Sequence, residues 1–189
     1  QAKEGIRELD RVVVVEGYLD VLALFQFGVS YAVATLGTAL TPDHVRILSR
    51  YTKNIIALFD GDDAGRKAAA RSFEIFIEGG LLGRAAFMPK GEDPDTFVRS
   101  KGSEALEGVL GQAIPLADYT FTWLEELHGK SIEGKSRTAQ EIRRLLAKVR
   151  NPFEVDLLVR RAVDSLGVRE DLLRLPAPPP LGQGRPASP

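Results

Sequence analysis

Short runs of continuous apolar residues, each followed by a helical pattern, most constrain the fold of this chain. Val12–Val15 is a run of four valines, and Asn54–Phe59 ends in five apolar residues. Because such runs leave no polar face, they are typical of parallel strands buried on both faces of a sheet. The segments Tyr31–Thr35 and Arg84–Pro89 complete an alternation of four strands with helices. This order predicts an α/β fold with a mostly parallel four-stranded sheet flanked by helices.

The part of the chain after residue 112 has a different pattern. Apolar residues recur there at helical spacing, without a further strand-like run. The sequence therefore predicts an α/β domain at residues 1–112 and a small all-helical subdomain at residues 113–175. Residues 176–189 contain six prolines, two glycines and no aromatic residue. That composition is typical of a disordered linker.

Composition excludes several classes of protein. The chain has no cysteine among its 189 residues, so it can form neither a disulfide nor a cysteine-ligated zinc site. No apolar run reaches the roughly 18 residues of a membrane-spanning helix, and no signal peptide is visible. Because the chain begins at Gln1 rather than at a methionine, we expect it to be a piece of a longer protein.

The net charge of −1 conceals an uneven distribution along the chain. Residues 1–129 carry 19 acidic and 13 basic side chains, whereas residues 130–175 carry 7 acidic and 11 basic ones. Nucleic-acid-binding proteins usually show a basic surface, and only the second part leans that way. If the protein handles nucleic acid, either much of the basic surface lies outside this chain or metal ions offset the acidic part.

Two carboxylates lie directly after the third predicted strand. Asp60 and Asp62 flank Gly61, whose missing Cβ gives the turn between them conformational freedom. Because ligands of open α/β sheets bind outside the carboxyl ends of the strands, both carboxylates can face one point in that crevice. Oxygen ligands at this spacing suit Mg²⁺. A solvated turn is the competing interpretation, since Asp and Gly are common turn residues.

Two other predicted strands are also followed by acidic residues. Glu16 comes directly after the first strand, and Asp20 begins the next helix, where it could serve only as an N-cap. Asp93 and Asp95 follow the fourth strand, and either could instead cap a short helix at residues 96–101. If the three strands are neighbours, up to five carboxylates meet at one edge of the sheet. Such a cluster predicts a site for one or two Mg²⁺ ions.

A small-residue loop after the second strand is a weaker candidate site. Its backbone N–H groups and hydroxyls, among residues Thr35, Gly37 and Thr38, could face a phosphate. Nucleophilic catalysis of the Ser-His-Asp or Cys-His type has no support, because the only histidines are His44 and His128 and cysteine is absent. Phosphate and metal chemistry at carboxylates is therefore the favoured interpretation.

Three motifs together resemble one protein family. Glu16–Asp20 reads Glu-Gly-Tyr-Leu-Asp, Asp60–Arg66 reads Asp-Gly-Asp-Asp-Ala-Gly-Arg, and Gly91–Thr96 reads Gly-Glu-Asp-Pro-Asp-Thr. The first two resemble the Toprim domain that primases, topoisomerases and some nucleases share. All three, together with Ala34–Thr38, resemble bacterial DnaG-type primase over about residues 1–175. The resemblance implies a Toprim fold and the catalytic region, with a helical subdomain, of a primase's RNA polymerase core.

The resemblance also implies roles for the acidic residues. Catalysis would rest on Glu16, Asp60 and Asp62, with Glu16 near the reacting phosphate and the two aspartates as metal ligands. Other acidic residues would support metal or nucleotide binding, namely Asp93, Asp95 and, in the same patch, Asp20.

The reaction that the resemblance implies is synthesis of a short RNA primer on single-stranded DNA from ribonucleoside triphosphates. The cofactor would be Mg²⁺ or Mn²⁺, as one to two or more ions, and zinc would belong only to a missing N-terminal domain. The replicative helicase would bind through a C-terminal domain absent from this chain. The protein would act in the bacterial cytoplasm at the replication fork, and this piece alone would make little or no primer.

Two alternatives remain open from the sequence. One is a Toprim-type nuclease or topoisomerase, although Ala64 stands where topoisomerase motifs usually carry a third acidic residue. The other is a non-enzymatic Toprim module that scaffolds a DNA-repair assembly. The presence of all the acidic residues of the motifs argues against this second alternative. Cleavage of DNA with Mg²⁺ would support the first, and metal-independent DNA binding without turnover would support the second.

Overall fold

The computed structural model of the chain describes residues 2–35 and 39–174. Its strands are β1 Val12–Val15, β2 Ala32–Ala34, β3 Ile55–Phe59, β4 Arg84–Phe87 and β5 Ile114–Pro115. Its helices are α1 Ala2–Leu9, α2 Tyr18–Gln26, α3 Pro42–Leu48, α4 Asp63–Gly79, α5 Pro94–Gly111, α6 Leu116–His128, α7 Ile132–Leu146, α8 Pro152–Leu166 and α9 Glu170–Arg174. The strands form a sheet in the order β2-β1-β3-β4-β5.

The first four strands run parallel, as the sequence predicts. β1 pairs with β2 on one side and with β3 on the other, and β3 pairs with β4. All four residues of β1 and all five of β3 are buried. Burial on both faces explains why these strands carry no polar residue, because a polar side chain there would lose its hydrogen bonds to water.

Two details differ from the sequence-based expectation. The sheet has five strands rather than four, because Ile114–Pro115 pairs antiparallel with the start of β4. This strand is only two residues long and exposed, so no local sequence pattern marks it. Its proline is compatible with its position at the edge of the sheet. Helix α5 is also longer than residues 96–101, and it continues to Gly111 past Gly102, whose φ of 80° interrupts the helix.

The core around the sheet is built from large apolar side chains of the helices. Phe73 and Phe76 of α4 are fully buried, as is Phe121 of α6. The rings of Phe73 and Phe121 meet edge to face, with centroids 6.2 Å apart, an arrangement that aromatic rings favour. These contacts hold α4, and therefore the turn that precedes it, against the sheet.

The chain forms two compact units, Gln1–Leu124 and from Glu125 onward. The first contains the sheet, and the second contains α7, α8 and α9. The division into functional domains at residue 112 stays a prediction, and the predicted linker at residues 176–189 lies outside the described residues. None of the helices that the structure describes is long and apolar enough to cross a membrane.

Candidate acidic site at the carboxyl edge of the sheet

Three acidic stretches lie after three neighbouring strands. Glu16 directly follows β1, Asp60 directly follows β3, and the loop that leads to Asp93 follows β4. β1 pairs in parallel with β3, and β3 pairs in parallel with β4, so the carboxyl ends of all three strands lie at one edge. The expectation that these strands are neighbours is confirmed.

Close backbone contacts fix the turn that carries Asp60 and Asp62. A Cβ on Gly61 would lie 2.1 Å from the carbonyl oxygen of Pro89, so only glycine allows the turn to approach this closely. Asp62 is the N-cap of α4, and its Oδ1 accepts a hydrogen bond of 2.7 Å from the backbone N–H of Gly65. Asp60 stays exposed at the strand end, so its carboxylate is available to a ligand.

The capping explanation holds for Asp93. Its Oδ1 accepts hydrogen bonds from the backbone N–H of Thr96 at 2.8 Å and from the Thr96 hydroxyl at 2.9 Å. Asp95, in the first turn of α5, forms an ion pair with Arg99 one turn further on. Since each carboxylate has two oxygens, these structural roles leave acceptor capacity at both residues.

Asp20 is not an N-cap, because α2 already begins at Tyr18. Its Oδ2 instead accepts a hydrogen bond of 3.0 Å from the backbone N–H of Gly17, which holds the turn after Glu16. Burial raises the pKa of Asp20 against the opposing effect of backbone hydrogen bonds from Gly17 and Asp95. Repulsion from neighbouring carboxylates raises it further, so Asp20 is electrostatically part of the acidic site.

The pKa of Asp60 indicates that the acidic residues of this site interact electrostatically. Although Asp60 is an exposed residue, partial burial of its carboxyl group is the largest cause that raises its pKa, to about 6. Repulsion by other carboxylates adds to the increase, and these belong to Asp20, Glu16, Asp62 and Asp93. Like charges this close disfavour ionisation, and a bound cation would reverse that effect. Perturbed carboxylates at a strand end are typical of functional sites.

The carboxylates fit Mg²⁺ in their chemistry. Hard oxygen ligands are what this ion prefers, and it keeps several waters while taking few ligands from the protein. Among residues 2–35 and 39–174, however, no three acidic or histidine side chains are grouped closely enough to hold a metal ion. The described residues thus offer no complete protein cage, and waters or phosphate oxygens would have to supply the other ligands.

The small-residue loop is described only in part. The hydroxyl of Thr35 donates a hydrogen bond of 3.5 Å to the carbonyl oxygen of Glu16, which ties the loop after β2 to the end of β1. Gly37 and Thr38 lie outside the described residues. The role of this loop as a phosphate site therefore stays a prediction.

The sequence did not reveal the basic side of the site. A cleft of about 270 Å³ opens beside Asp60, and its lining includes Arg66, Lys90 and Tyr119. The Tyr119 ring lies against Phe87, with centroids 4.7 Å apart. Arg66 belongs to the motif of the Asp60 turn, so the sequence alone could have indicated a cation beside these carboxylates. Tyr119 carries no such signal, because only tertiary folding brings α6 to this cleft.

Stability in the absence of metal is expected to fall as pH rises from about 4 to about 6. The pKa of Asp60 in the folded chain, about 6, lies above its ordinary value of 3.8, so the folded state binds more protons in that window. We expect a loss of about 1 kcal/mol after allowance for solvent screening at this exposed carboxyl. Urea denaturation in a chelator at several pH values measures it, and Asp60→Asn should flatten the profile. An unchanged slope in that variant would contradict this origin.

Two family models match separate parts of the chain. Residues 13–98 match a family described as Toprim-like. Residues 121–171 match the DnaB-helicase binding domain of primase. The sequence predicted helicase binding through a domain outside this chain, whereas the second match falls inside it.

Curated relatives are bacterial DNA primases. The chain is 39% identical to DNA primase of Escherichia coli strain K12 over an alignment of 175 residues. This alignment covers 90% of this chain and 30% of that protein. It is 44% identical over 154 residues to DNA primase of Pseudomonas aeruginosa, covering 79% of this chain and 23% of that protein. The chain thus spans less than a third of the length of these relatives.

Solved structures share the fold of this chain. A DNA primase domain from Pseudomonas aeruginosa has a TM-score of 0.84 at 39% identity, over 92% of this chain and 56% of that one. The Escherichia coli primase catalytic core has a TM-score of 0.82 at 39% identity, over 90% and 56%. A DnaG primase catalytic domain bound to single-stranded DNA has a TM-score of 0.78 at 38% identity, over 86% and 54%.

Proposed function

Because this chain is homologous to the Toprim-containing catalytic core of bacterial DnaG-type DNA primases, we propose that it supplies the acidic catalytic centre of such an enzyme. The reaction is template-directed synthesis of a short RNA primer, in which a 3′-hydroxyl attacks the α-phosphate of a ribonucleoside triphosphate and pyrophosphate leaves. The Toprim region would correspond to residues 1–112 and the helical subdomain of the polymerase core to residues 113–175.

The observation that supports this proposal most strongly is the convergence of acidic residues on Asp60 at the carboxyl edge of the neighbouring strands β1, β3 and β4. Burial, as the largest cause, and the charges of Asp20, Glu16, Asp62 and Asp93 raise the pKa of the Asp60 carboxyl to about 6. Asp62 and Asp93 stabilise the fold as helix caps, but the repulsion between the like charges is unfavourable. A cation bound between the carboxylates would offset this repulsion, and the phosphates of a substrate would complete its coordination.

The proposed roles follow the position of each residue at the sheet edge. Asp60 and Asp62 would hold one or two Mg²⁺ or Mn²⁺ ions, and Glu16 would lie near the reacting phosphate. Asp20, Asp93 and Asp95 would support the binding of metal or nucleotide around this centre. When bound, the ions would activate the attacking oxygen and neutralise charge on the leaving phosphates. The chain's own contribution is to fix the carboxylates at strand ends and helix caps.

The proposed partners include nucleic acid and a helicase. Single-stranded DNA would be the template, ribonucleoside triphosphates the substrates and the RNA primer the product. The net negative charge of residues 1–129 means that other parts of the enzyme, or bound metal ions, must offset much of the phosphate charge. The match at residues 121–171 supports contact with the replicative helicase, and such an enzyme would act at the replication fork in the bacterial cytoplasm.

Incubation with single-stranded DNA, ribonucleoside triphosphates and Mg²⁺ tests the proposal. A catalytic core that contains this chain is expected to make short RNA, whereas the isolated chain should make little or none, because the chain covers only 56% of the catalytic core of Escherichia coli primase. Labelled DNA added to the same reaction should stay intact. Metal-dependent DNA cleavage without RNA synthesis would contradict this proposal and favour a Toprim nuclease. Robust primer synthesis by the isolated chain would show that the remainder of the catalytic core is not required.

A further inference from the structure

A cavity lies between the sheet and α4, at the carboxyl ends of β1 and β3. It encloses about 450 Å³. The connection after β1 leads to β2 on one side of the sheet order, whereas the connection after β3 leads to β4 on the other side. The chain therefore diverges between β1 and β3, and open α/β sheets bind ligands in the crevice at such a point.

The walls of this cavity are mostly apolar. The strand residues that line it are buried, namely Val14, Val15, Ala57, Leu58 and Phe59. On α4 the lining residues are Ala68, Arg71, Ser72 and Ile75, which recur at helical spacing and so share one face. An apolar ligand of suitable size would leave water on entering this cavity, which favours binding.

Arg71 places a positive charge at this cavity. It is an exposed residue of α4, and among residues 2–35 and 39–174 its guanidinium has neither a hydrogen-bond partner nor an ion-pair partner. A guanidinium can bind a carboxylate through two parallel hydrogen bonds. Arg71 is therefore available to an anionic group at the end of an apolar ligand.

The hydroxyl groups of the described lining already donate hydrogen bonds within the chain. Ser72 donates one of 2.7 Å to the carbonyl oxygen of Ala69, and Thr35 donates one of 3.5 Å to the carbonyl oxygen of Glu16. A nucleobase enclosed by these walls would leave polar edge atoms without partners, which is unfavourable. A hydrocarbon body has no such atoms, so the lining favours a simple apolar acid over a nucleotide.

We propose that this cavity binds a small carboxylic acid with an aromatic or aliphatic body, whose carboxylate pairs with Arg71. Among the described lining residues, Glu16 is the only one that also belongs to the acidic site. The ligand would therefore lie beside that site, against the strand end that carries Glu16, and would not occupy the turn of Asp60 and Asp62. The inference does not depend on the proposed reaction.

Three probes that share a phenyl ring and differ in charge test the proposal. Phenylacetate is an anion, phenylacetamide is its neutral analogue and phenethylamine is a cation at neutral pH. Ligand-observed NMR titration measures their binding to the whole chain. We expect phenylacetate to bind at least about tenfold more tightly than phenylacetamide, because only the anion forms a charge-assisted pair with Arg71. Tightest binding by phenethylamine would overturn the proposal, since Glu16 would then be the charge partner.

Replacement of Arg71 separates a charge partner from a structural residue. In Arg71→Gln the dissociation constant of phenylacetate should rise at least about tenfold, whereas that of phenylacetamide should stay within about twofold of wild type. Lys67→Gln is the matched control, because Lys67 is an exposed cation of α4 that does not line the cavity. It should bind phenylacetate within about twofold of wild type. Equal loss in both variants would refute the specific role of Arg71.

A variant that fills the cavity tests its location. Ala68→Leu adds a larger apolar side chain to the lining face of α4, and leucine is a good helix former, so the chain should fold, as circular dichroism checks. Phenylacetate binding should weaken at least about tenfold, because the side chain occupies the space of the ring. Unchanged binding in this variant would place the ligand elsewhere.

Two further ligands decide the chemical class. Acetate, which has no ring, should bind far more weakly than phenylacetate, and equal affinities would indicate a simple anion site and overturn the proposal. Adenosine monophosphate should also bind more weakly, and tighter binding than phenylacetate would overturn the assignment to an apolar acid. Primer synthesis plays no part in these measurements, so their outcome is independent of the proposed function.

Discussion

Replacement of Asp60 and Asp62 by asparagine is expected to abolish measurable binding of Mg²⁺ or Mn²⁺ by calorimetry. The two carboxylates lie in the turn directly after β3. Without them, only Glu16, Asp20 and the acidic residues Asp93 and Asp95 at the start of α5 would be left to bind the ion. In a complete catalytic core, loss of the metal would remove several kcal/mol of transition-state stabilisation. Primer synthesis should therefore fall by about a thousandfold or more.

Asparagine is the informative replacement because it separates charge from folding. Asp62 caps α4 through its Oδ1, and asparagine caps helices about as well as aspartate, so the turn should keep its structure. Removal of charge at Asp60 also relieves repulsion, and the metal-free variant should be at least as stable as wild type at neutral pH. A loss of binding can then be assigned to the missing charge rather than to unfolding.

Asp63 provides the matched control within the same turn. Its side chain is 96% exposed, and the Nε of Arg66 lies 3.9 Å from its Oδ1. Asp63→Asn should bind metal as wild type does, because an exposed charge in this position contributes little across solvent. If the double variant and this control bind metal equally, the Asp60 turn is not the metal centre.

Gly61→Ala is expected to disrupt the same site by geometry instead of charge. The new Cβ would lie 2.1 Å from the carbonyl oxygen of Pro89 and 2.6 Å from that of Met88. Backbone atoms cannot swing away as a side chain would, so the turn must shift away from the end of β4. We expect a loss of about 2 kcal/mol in stability, typical of overpacking, together with clearly weaker metal binding.

Urea denaturation and calorimetry measure both effects, and Gly108→Ala is the control. Gly108 lies within α5, and a Cβ there would meet nothing within 4 Å. Alanine at this helical position should stabilise the chain by about 0.5–1 kcal/mol. The two glycine substitutions should therefore change stability in opposite directions. A stable Gly61→Ala variant with normal metal affinity would show that the close approach to Pro89 is not required.

Local chemistry explains why much of this protein could be predicted from its sequence. A run of four consecutive valines is typical of a strand that is buried on both faces, and β1 is buried throughout. Thr41 and Pro42 begin α3 as N-cap and first residue, and Asp93 followed by Pro94 begins α5 in the same way. Each of these signals depends on a residue and its immediate neighbours, so the sequence carries it directly.

Other features depend on atoms that are distant in sequence. Strand β5 exists because Ile114 and Pro115 reach the free edge of β4, and its two residues have no strand pattern of their own. The cleft beside Asp60 needs Tyr119 from α6. The close contact that requires glycine at position 61 comes from the backbone of Pro89, in the loop after β4. None of these partners is fixed by local propensity.

The sequence by itself determined which residues end the strands and that acidic side chains follow three of them. The tertiary structure decided that those strands are neighbours, and so decided which carboxylates share one electrostatic environment. The pKa of Asp60 rises to about 6 through burial and through charges on Asp20, Glu16, Asp62 and Asp93. Hydrophobic patterning is a local property of the chain, whereas electrostatic coupling depends on distance in space, which only the packed fold sets.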